Sequence, residues 1–272
     1  MTVKLEMAIV IAAMALAGLL QAAPAQAEAE IVAPLWGPYC IGAANADRVV
    51  HWKTAEPTWG IVQYATEEHL RLGNSYAGLA VDSAPRQLHH VTLSGLQPGV
   101  TYTYRVWAVD AAVSQQDLQR AIADDAENWL ADNGSPSQDC RFKTLGDEPF
   151  TFVVYGDTQE QAPWFTQMER HKLVADYIAQ EQDLSFVVHL GDFTYDPEDM
   201  AGWDTFFAAA REMLGRNALY PVMGNHDNNS PTYYEIFGMP AYYSFLAGDS
   251  RFTILDTNSW ADFEAQGRWL EK

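Results

Sequence analysis

From residue 149 onward, apolar strand-like runs alternate with helical patterns, and this alternation constrains the fold more than any other feature of the sequence. The strand-like runs are 150–155, 184–190, 218–223 and 252–255. The helical patterns are 164–180, 203–214 and a third that starts near Trp260. Because strand–helix–strand units bring parallel strands together under covering helices, we expect an α/β layer around a largely buried sheet. In the first helix, we expect Val174, Tyr177 and Ile178 to lie on the buried face.

Residues 31–145 show a different, all-β pattern. The strand candidates, which turn residues separate, are 48–52, 60–64, 89–93 and 101–106. Tyr102 follows the Pro98-Gly99 turn at the place where sandwich domains carry a tyrosine corner. The run from Leu96 to Tyr102, Leu-x-Pro-Gly-x-x-Tyr, resembles that of a fibronectin type III domain. We therefore predict a multidomain β + α/β protein in which an Ig/fibronectin III-like β-sandwich precedes the α/β layer.

One segment, 114–133, interrupts the β pattern with helical spacing. Ser114 and Asp117 suit the first turn of a helix, and Gly134 suits its end. Leu118 and other apolar residues fall on one face of this helix. We expect that face to pack on the sandwich itself, and a helix that binds a partner protein is the alternative interpretation.

The first residues of the chain have the pattern of an export signal. Lys4 precedes an apolar run at 7–20, and Ala25-Gln26-Ala27 has small residues at the positions required for signal cleavage. The apolar run is too short to span a bilayer comfortably. We therefore predict a signal peptide over 1–27, an exported protein that is periplasmic or secreted, and no stable membrane insertion after cleavage.

The chain is strongly acidic, with a formal net charge of −20 from 36 acidic and 16 basic residues. A nucleic-acid partner is excluded, because a phosphate backbone needs clustered Lys and Arg and the sequence has no basic run. An acidic surface also repels an anionic substrate unless metal ions reverse the sign locally.

Cysteine usage leaves two states open. Cys40 and Cys140 lie near the two ends of the predicted sandwich. Export permits a disulfide between them, and two free buried thiols are the alternative.

Three of the strand-like runs end in a glycine followed by polar residues. The clusters are Gly156-Asp157, Gly191-Asp192-Phe193-Thr194-Tyr195 and Gly224-Asn225-His226-Asp227. In open α/β sheets, ligands bind beyond the carboxyl ends of the strands, so we expect the clusters to meet there. Two carboxylates in one small region repel each other unless they are protonated or bind metal, and carboxylate, amide and phenolate oxygens suit hard cations. The clusters therefore predict a metal site whose candidate ligands are Asp157, Asp192, Tyr195 and Asn225.

The ordered set of Gly-Asp, Gly-Asp-x-x-Tyr and Gly-Asn-His motifs resembles that of the calcineurin-like metallophosphoesterases, and within them the purple acid phosphatases. The resemblance implies a dinuclear centre that contains Fe(III) and a divalent ion, which is Fe, Zn or Mn. It implies that Asp157 and Tyr195 bind the iron and that Asp192 bridges the two ions. It also implies that Asn225 binds the second ion and that His226 contacts the substrate phosphate or assists the leaving group.

The function that this resemblance implies is hydrolysis of small phosphate monoesters with a metal-bound hydroxide as nucleophile. A phosphodiesterase or nucleotidase of the same superfamily is the alternative among enzymes. A non-catalytic exported binding module is the alternative from another class. Asp196 and Asp227 lie near the motifs, and we expect both to be surface turn residues without a role. The oligomeric state stays open.

Two departures from the family pattern affect these expectations. Gln159 stands where purple acid phosphatases have glycine and many related enzymes have a ligating histidine, so Tyr195 is the better candidate for that coordination position. The family's later histidine motifs do not follow, because His226 is the last histidine and the sequence ends at Lys272. We therefore expect 149–272 to be the first half of a metallophosphatase β-sandwich flanked by helices, in a truncated and inactive chain.

Overall fold

The structure is a computed structural model that describes residues 34–42 and 47–272. The signal peptide predicted over 1–27 lies outside the described residues. Within the described part of the chain, no helix is both long enough and apolar enough to cross a membrane.

Strands dominate the chain before residue 145, and strands alternate with helices after it. The described strands are β1 (Trp36–Gly42), β2 (Arg48–Thr66), β3 (Gly78–Val81), β4 (Arg86–Leu93), β5 (Thr101–Asp110), β6 (Gly134–Pro136), β7 (Cys140–Lys143), β8 (Thr151–Tyr155), β9 (Leu184–His189), β10 (Ala218–Pro221), β11 (Tyr243–Ala247) and β12 (Ser250–Ile254). The described helices are α1 (Glu67–Arg71), α2 (Gln115–Asn133), α3 (Gln167–Ala179), α4 (Met200–Leu214), α5 (Pro231–Phe237) and α6 (Phe263–Leu270). The fold is thus a β-rich N-terminal part followed by an α/β part.

Ten of the described strands form one sheet, in the order β6-β5-β2-β1-β10-β9-β8, with β3 and β4 attached to β2 and β7 attached to β5. The strands predicted separately at 48–52 and 60–64 are both part of β2, and its pairing with β4 shifts register between Lys53 and Thr58. The first part of β2 lies between β1 and β4, and the second part lies between β3 and β5. The turn predicted between two strands is therefore an exposed irregularity within one long strand.

The two parts of the chain share a continuous sheet, because β1 pairs in parallel with β10. Strands β8, β9 and β10 are also parallel to one another, as the strand–helix alternation predicts. Side chains from both parts occupy one core, in which Tyr104 and Phe142 belong to the same cluster as Phe186 and Tyr220. The N-terminal strands consequently support the layer that carries the predicted site.

Helix α2 confirms the helix predicted over 114–133. Ser114 caps it by accepting a hydrogen bond from the backbone N–H of Asp117 at 3.2 Å. Leu118 and Leu130 are buried in a cluster that includes a tryptophan from each of β2 and β5. The apolar face therefore packs on the chain's own sheet, as expected.

Three details of the α/β part differ from the prediction, although Ile178 is buried and a strand forms near 252–255, as expected. In α3, the buried stripe contains His171, Ala175 and Ile178, whereas Val174 and Tyr177 are 44% and 66% exposed. Strand β8 is exposed or half-buried along its length, because it is the last strand of the sheet and has β9 as its only described neighbour. The last predicted strand lies in β12, which pairs with β11 in a separate two-stranded sheet. Apolar composition alone cannot distinguish an edge strand from a central one.

Cys40 and Cys140 are buried free thiols, the second of the two predicted states. Burial raises the pKa of each thiol to about 12. Thiols protonated over the physiological range are poor nucleophiles, so these side chains act as packing groups.

Candidate metal centre

The carboxyl ends of β8, β9 and β10, which are neighbouring parallel strands, place the three predicted motifs at one edge of the sheet. After β8, the backbone N–H of Asp157 donates to the Gly191 carbonyl at 3.1 Å, and that of Thr158 donates to the Asp192 carbonyl at 3.0 Å. Asp157 and Asp192 have φ angles of 55° and 57°, a left-handed region that non-glycine residues seldom adopt. Backbone strain of this kind clusters at functional sites, so both motif aspartates are positioned by the loops around them.

Asp192 is 7% exposed and makes specific contacts through both carboxylate oxygens. Its Oδ1 accepts the backbone N–H of His226 at 2.8 Å, and its Oδ2 accepts the side-chain amide of Gln159 at 3.3 Å. Because a carboxylate only accepts, this contact fixes the amide nitrogen of Gln159 toward Asp192. The amide oxygen of Gln159 is buried without a partner in the described part of the chain. Both oxygens of Asp192 retain lone pairs for a further contact.

Asp227 is fully buried, at 0% exposure, so the prediction of a surface turn residue was wrong. Its Oδ2 accepts the backbone N–H groups of Gly224 at 2.7 Å and Asp192 at 2.9 Å, and its Oδ1 accepts that of Phe193 at 3.2 Å. Burial raises the pKa of this carboxyl to about 7, and the N–H donors act in the opposite direction. The carboxylate joins the loop after β10 to the loop after β9. Asp196, by contrast, is exposed and accepts a backbone N–H two residues further on, as a turn residue does.

His189 is buried beside the motif loops, although it is not a predicted ligand. The Gly191 N–H donates to its Nδ1 at 3.2 Å, so its Nε2 carries the proton and donates to Thr158 Oγ1 at 2.9 Å. Its ring stacks on Phe193, with the centroids 3.9 Å apart. Burial lowers the pKa of His189, which favours the neutral imidazole that these contacts require. Sequence reasoning missed this packing role, for which the only signal was the position of His189 at the end of a buried strand.

Tyr195 and His226 lie together at the rim of the site. Their ring centroids are 4.9 Å apart, and His226 Nδ1 lies 3.0 Å from the Tyr195 carbonyl oxygen. Both line a cavity of about 470 Å³, whose other lining residues are Gln159, Glu160, Gln161 and Ala162. Asn225 is exposed and stands between Gly224 and His226 in the same loop, without a side-chain hydrogen bond to any described residue. The structure thus brings Asp192, Tyr195 and His226 together by direct contacts and leaves Asn225 as their neighbour in the chain.

The donors at this edge fit part of a metal centre. Among residues 34–42 and 47–272, no three His, Cys, Asp or Glu side chains form a cluster that could hold a metal ion. A site here therefore needs the oxygens of Tyr195 and Asn225 in addition to Asp157 and Asp192. Oxygen donors are the set that hard cations select, and the available lone pairs of the enclosed Asp192 carboxylate suit a metal ligand.

Comparison with known families matches both parts of the chain. Residues 150–270 match the sequence profile of the calcineurin-like phosphoesterases, and residues 41–119 match that of the purple acid phosphatase N-terminal domain. No curated protein sequence matches the chain significantly.

Two solved structures share the fold. The purple acid phosphatase PPD1 from yellow lupin (Lupinus luteus) seeds has a TM-score of 0.58 and 16% identity, over 86% of this chain and 47% of that one. PhoD has a TM-score of 0.62 and 16% identity, over 84% of this chain and 53% of that one. The chain therefore spans about half the length of either protein. By these matches, residues 150–270 are similar to the calcineurin-like phosphoesterases, and residues 41–119 are similar to the N-terminal domain of the purple acid phosphatases.

Proposed function

We propose that this protein hydrolyses small phosphate monoesters at the edge of the sheet formed by the ends of β8, β9 and β10. The observation that carries the proposal is the enclosed carboxylate of Asp192, which accepts one N–H at each oxygen and keeps lone pairs free at both. Asp157 approaches it through backbone contacts between the two loops. This arrangement supports the bridging role that the family resemblance implies for Asp192.

In the proposed centre, Asp157 and Tyr195 would hold Fe(III), Asn225 would hold the divalent ion, which is Fe, Zn or Mn, and Asp192 would be shared by the two ions. The ions, when bound, supply positive charge for the phosphoryl oxygens and activate a water molecule. His226 is the candidate catalytic side chain, because it lines the cavity beside these ligands. A carbonyl oxygen only accepts, so the contact with Tyr195 places a proton on His226 Nδ1 and leaves Nε2 to meet the substrate.

The number of donors limits what the 272-residue chain can do by itself. Asp157, Asp192, Tyr195 and Asn225 offer few ligands for two ions, since a single zinc ion commonly takes about four. We therefore expect weak metal binding and little turnover from this chain.

A metal titration followed by absorption tests the ligand assignment without requiring turnover. Fe(III) added to the purified chain is expected to give a tyrosinate-to-iron band in the visible range. Tyr195→Phe is expected to remove the band, and Tyr177→Phe, which alters an exposed tyrosine of α3, is expected to retain it. Asp192→Asn is expected to prevent metal uptake. A wild-type chain that binds no metal, or a band that survives Tyr195→Phe, would contradict the proposal.

A phosphodiesterase or nucleotidase is the second candidate, and Gln159 favours it because this residue departs from the purple acid phosphatase motif. The two candidates are separated by comparing the rates of metal-dependent hydrolysis of p-nitrophenyl phosphate and of its bis ester. The Asp192→Asn variant gives the background rate. Preference for the monoester supports the proposal, and preference for the bis ester supports the diesterase.

We also propose that the protein is exported, because 1–27 has the composition of a signal peptide. We further propose that 31–145 and 149–272 are its two domains. Sequencing the N-terminus of the protein purified from its native cell is expected to give Glu28 as the first residue. A full-length chain found in the cytoplasm would contradict export.

A further inference from the structure

Gln159 is attached to Asp192 through both its backbone and its side chain. The backbone N–H of Gln159 donates to the Asp192 carbonyl at 3.1 Å, and the side-chain nitrogen donates to Asp192 Oδ2 at 3.3 Å. The preceding residue, Thr158, is buried, and its hydroxyl oxygen lies 2.9 Å from His189 Nε2. The loop after β8 therefore holds the Gln159 side chain against Asp192.

The amide oxygen of Gln159 is buried and accepts no hydrogen bond from the part of the chain that the structure describes. Buried acceptors are normally paired, so this oxygen needs a partner from outside the chain, which is either a water molecule or a cation. The charge at the site favours a cation. Gln159 lines the cavity of about 470 Å³ together with Glu160, and none of the described residues that line this cavity is a lysine or arginine.

One ion can reach both this amide oxygen and Asp192. The nitrogen of Gln159 is 3.3 Å from Asp192 Oδ2, and the amide oxygen is about 2.2 Å from that nitrogen, so the two oxygens are at most about 5.5 Å apart. Oxygens that bind one ion through bonds of about 2.1 Å lie about 3–4 Å apart in octahedral geometry. A half-turn of the amide about the last side-chain bond exchanges its nitrogen and oxygen, so rotation covers this range while the loop stays in place.

The proposed centre also has too few ligands, since its four oxygen donors must hold two ions. No three His, Cys, Asp or Glu side chains among the described residues form a cluster that could hold a metal ion, so oxygens of other side chains are needed. The amide oxygen of Gln159 is of this kind, and hard cations bind amide oxygens as well as carboxylates.

We propose that Gln159 is a metal ligand, which binds through its amide oxygen the ion that Asp192 also binds. The inference rests on the proposed function, because it adds a further ligand to the centre proposed above. At the position where many related enzymes have a ligating histidine, this chain would then use oxygen in place of nitrogen. The departure from the family pattern is accordingly a change of ligand.

Calorimetric titration with Mn²⁺ tests the inference without turnover. Gln159→Met, which keeps the length of the side chain but removes both polar amide atoms, is expected to weaken Mn²⁺ binding by about tenfold. Gln159→Glu keeps an oxygen for the ion but cannot donate to Asp192, and it is expected to bind Mn²⁺ at least as tightly as the wild type. The controls Gln161→Met and Gln161→Glu make the same changes at an exposed residue of the same cavity. Each is expected to change the affinity by no more than about twofold, because exposed groups contribute little.

Rescue by Gln159→Glu separates the two roles that the amide could have. If Gln159 acted only as an N–H donor to Asp192, Gln159→Glu would bind Mn²⁺ no better than Gln159→Met. That result would overturn the inference, as would wild-type affinity in Gln159→Met, which is expected if the oxygen binds only water. An equal gain in affinity in Gln159→Glu and Gln161→Glu would show an effect of charge alone and would also overturn it.

Failure of the proposed function is distinguished by a different set of results. Metal uptake that is lost in Asp192→Asn but unchanged in Gln159→Met retains the proposed function and overturns the inference. Mn²⁺ uptake that depends on Gln159, in a chain whose Fe(III) complex lacks the band assigned to Tyr195, supports the inference and contradicts the proposed function. A wild-type chain that takes up neither ion overturns both.

Discussion

Replacing Gly191 by alanine is expected to destabilise the protein by about 3 kcal/mol, because two backbone segments meet at this glycine. A Cβ at Gly191 would lie 2.1 Å from the backbone nitrogen and 2.5 Å from the Cα of Gly224. The φ of Gly191 is also +94°, where an alanine costs about 1–2 kcal/mol. Forcing the two loops apart adds about 1–3 kcal/mol of overpacking strain. Alanine also lowers the conformational entropy of the unfolded chain, which offsets less than about 1 kcal/mol of the destabilisation.

Urea unfolding followed by circular dichroism measures this change, with metal uptake as a second readout. Gly267→Ala makes the same chemical change in α6, where no atom lies within 4 Å of the new Cβ. This control is expected to be neutral or to stabilise by up to about 1 kcal/mol, because alanine favours the helix. A Gly191→Ala variant that unfolds within about 1 kcal/mol of wild type, with metal uptake intact, would refute the argument that contact between these two loops positions Asp192.

Two further predictions concern buried titratable groups. Asp227→Ala is expected to weaken metal affinity by about tenfold to a hundredfold, because the loops that carry Asp192 and Asn225 lose their shared acceptor. The control Asp196→Ala is expected to leave the affinity nearly unchanged. Calorimetric titration with the metal measures both affinities, and equal values in the two variants would count against this prediction. His171 is 2% exposed, and burial lowers its pKa to about 3, so the unfolded chain binds the extra proton and stability is lost as the pH falls below about 6.5. The wild-type chain is therefore expected to lose stability between about pH 7.5 and about pH 5.5, and His171→Asn is expected to reduce that loss by about 1.4 kcal/mol. Urea midpoints at the two pH values measure the loss in each chain. The same loss in both chains would show that His171 is not kept neutral by burial.

Local features of the fold could be predicted from sequence because the interacting groups lie close together along the chain. The hydroxyl of Tyr102 accepts the backbone N–H of Gln97 at 3.0 Å, which completes the expected tyrosine corner. The cap at Ser114 likewise involves a donor only three residues away. The positions of the glycines that follow the strands β9 and β10 could also be predicted, because each glycine comes at the end of an apolar run.

Features that depend on distant segments could not be predicted. Two of the backbone N–H groups that donate to Asp227 belong to a loop more than thirty residues earlier in the chain. Without knowledge of that loop, an acid after Gly-Asn-His is interpreted as a turn residue. In α3, both Tyr177 and Ile178 are apolar enough to be buried, and the position of α4 decides that Ile178 is the one covered. The identity of the strand beside β10 is also a tertiary property, because Cys40 pairs with Ala218 across most of the chain.

The pairing of β1 with β10 determines how the two parts of the molecule respond to separation. Strand β10 lies between β9 and β1, so an excised phosphoesterase domain would present a row of unpaired backbone N–H and C=O groups along β10. Exposed strand edges of this kind are templates for aggregation. We therefore expect the excised domain to be insoluble and the intact chain to melt in one cooperative transition. Strand β1 covers the edge of β10, so we expect the two parts of the chain to be exchanged between proteins only together.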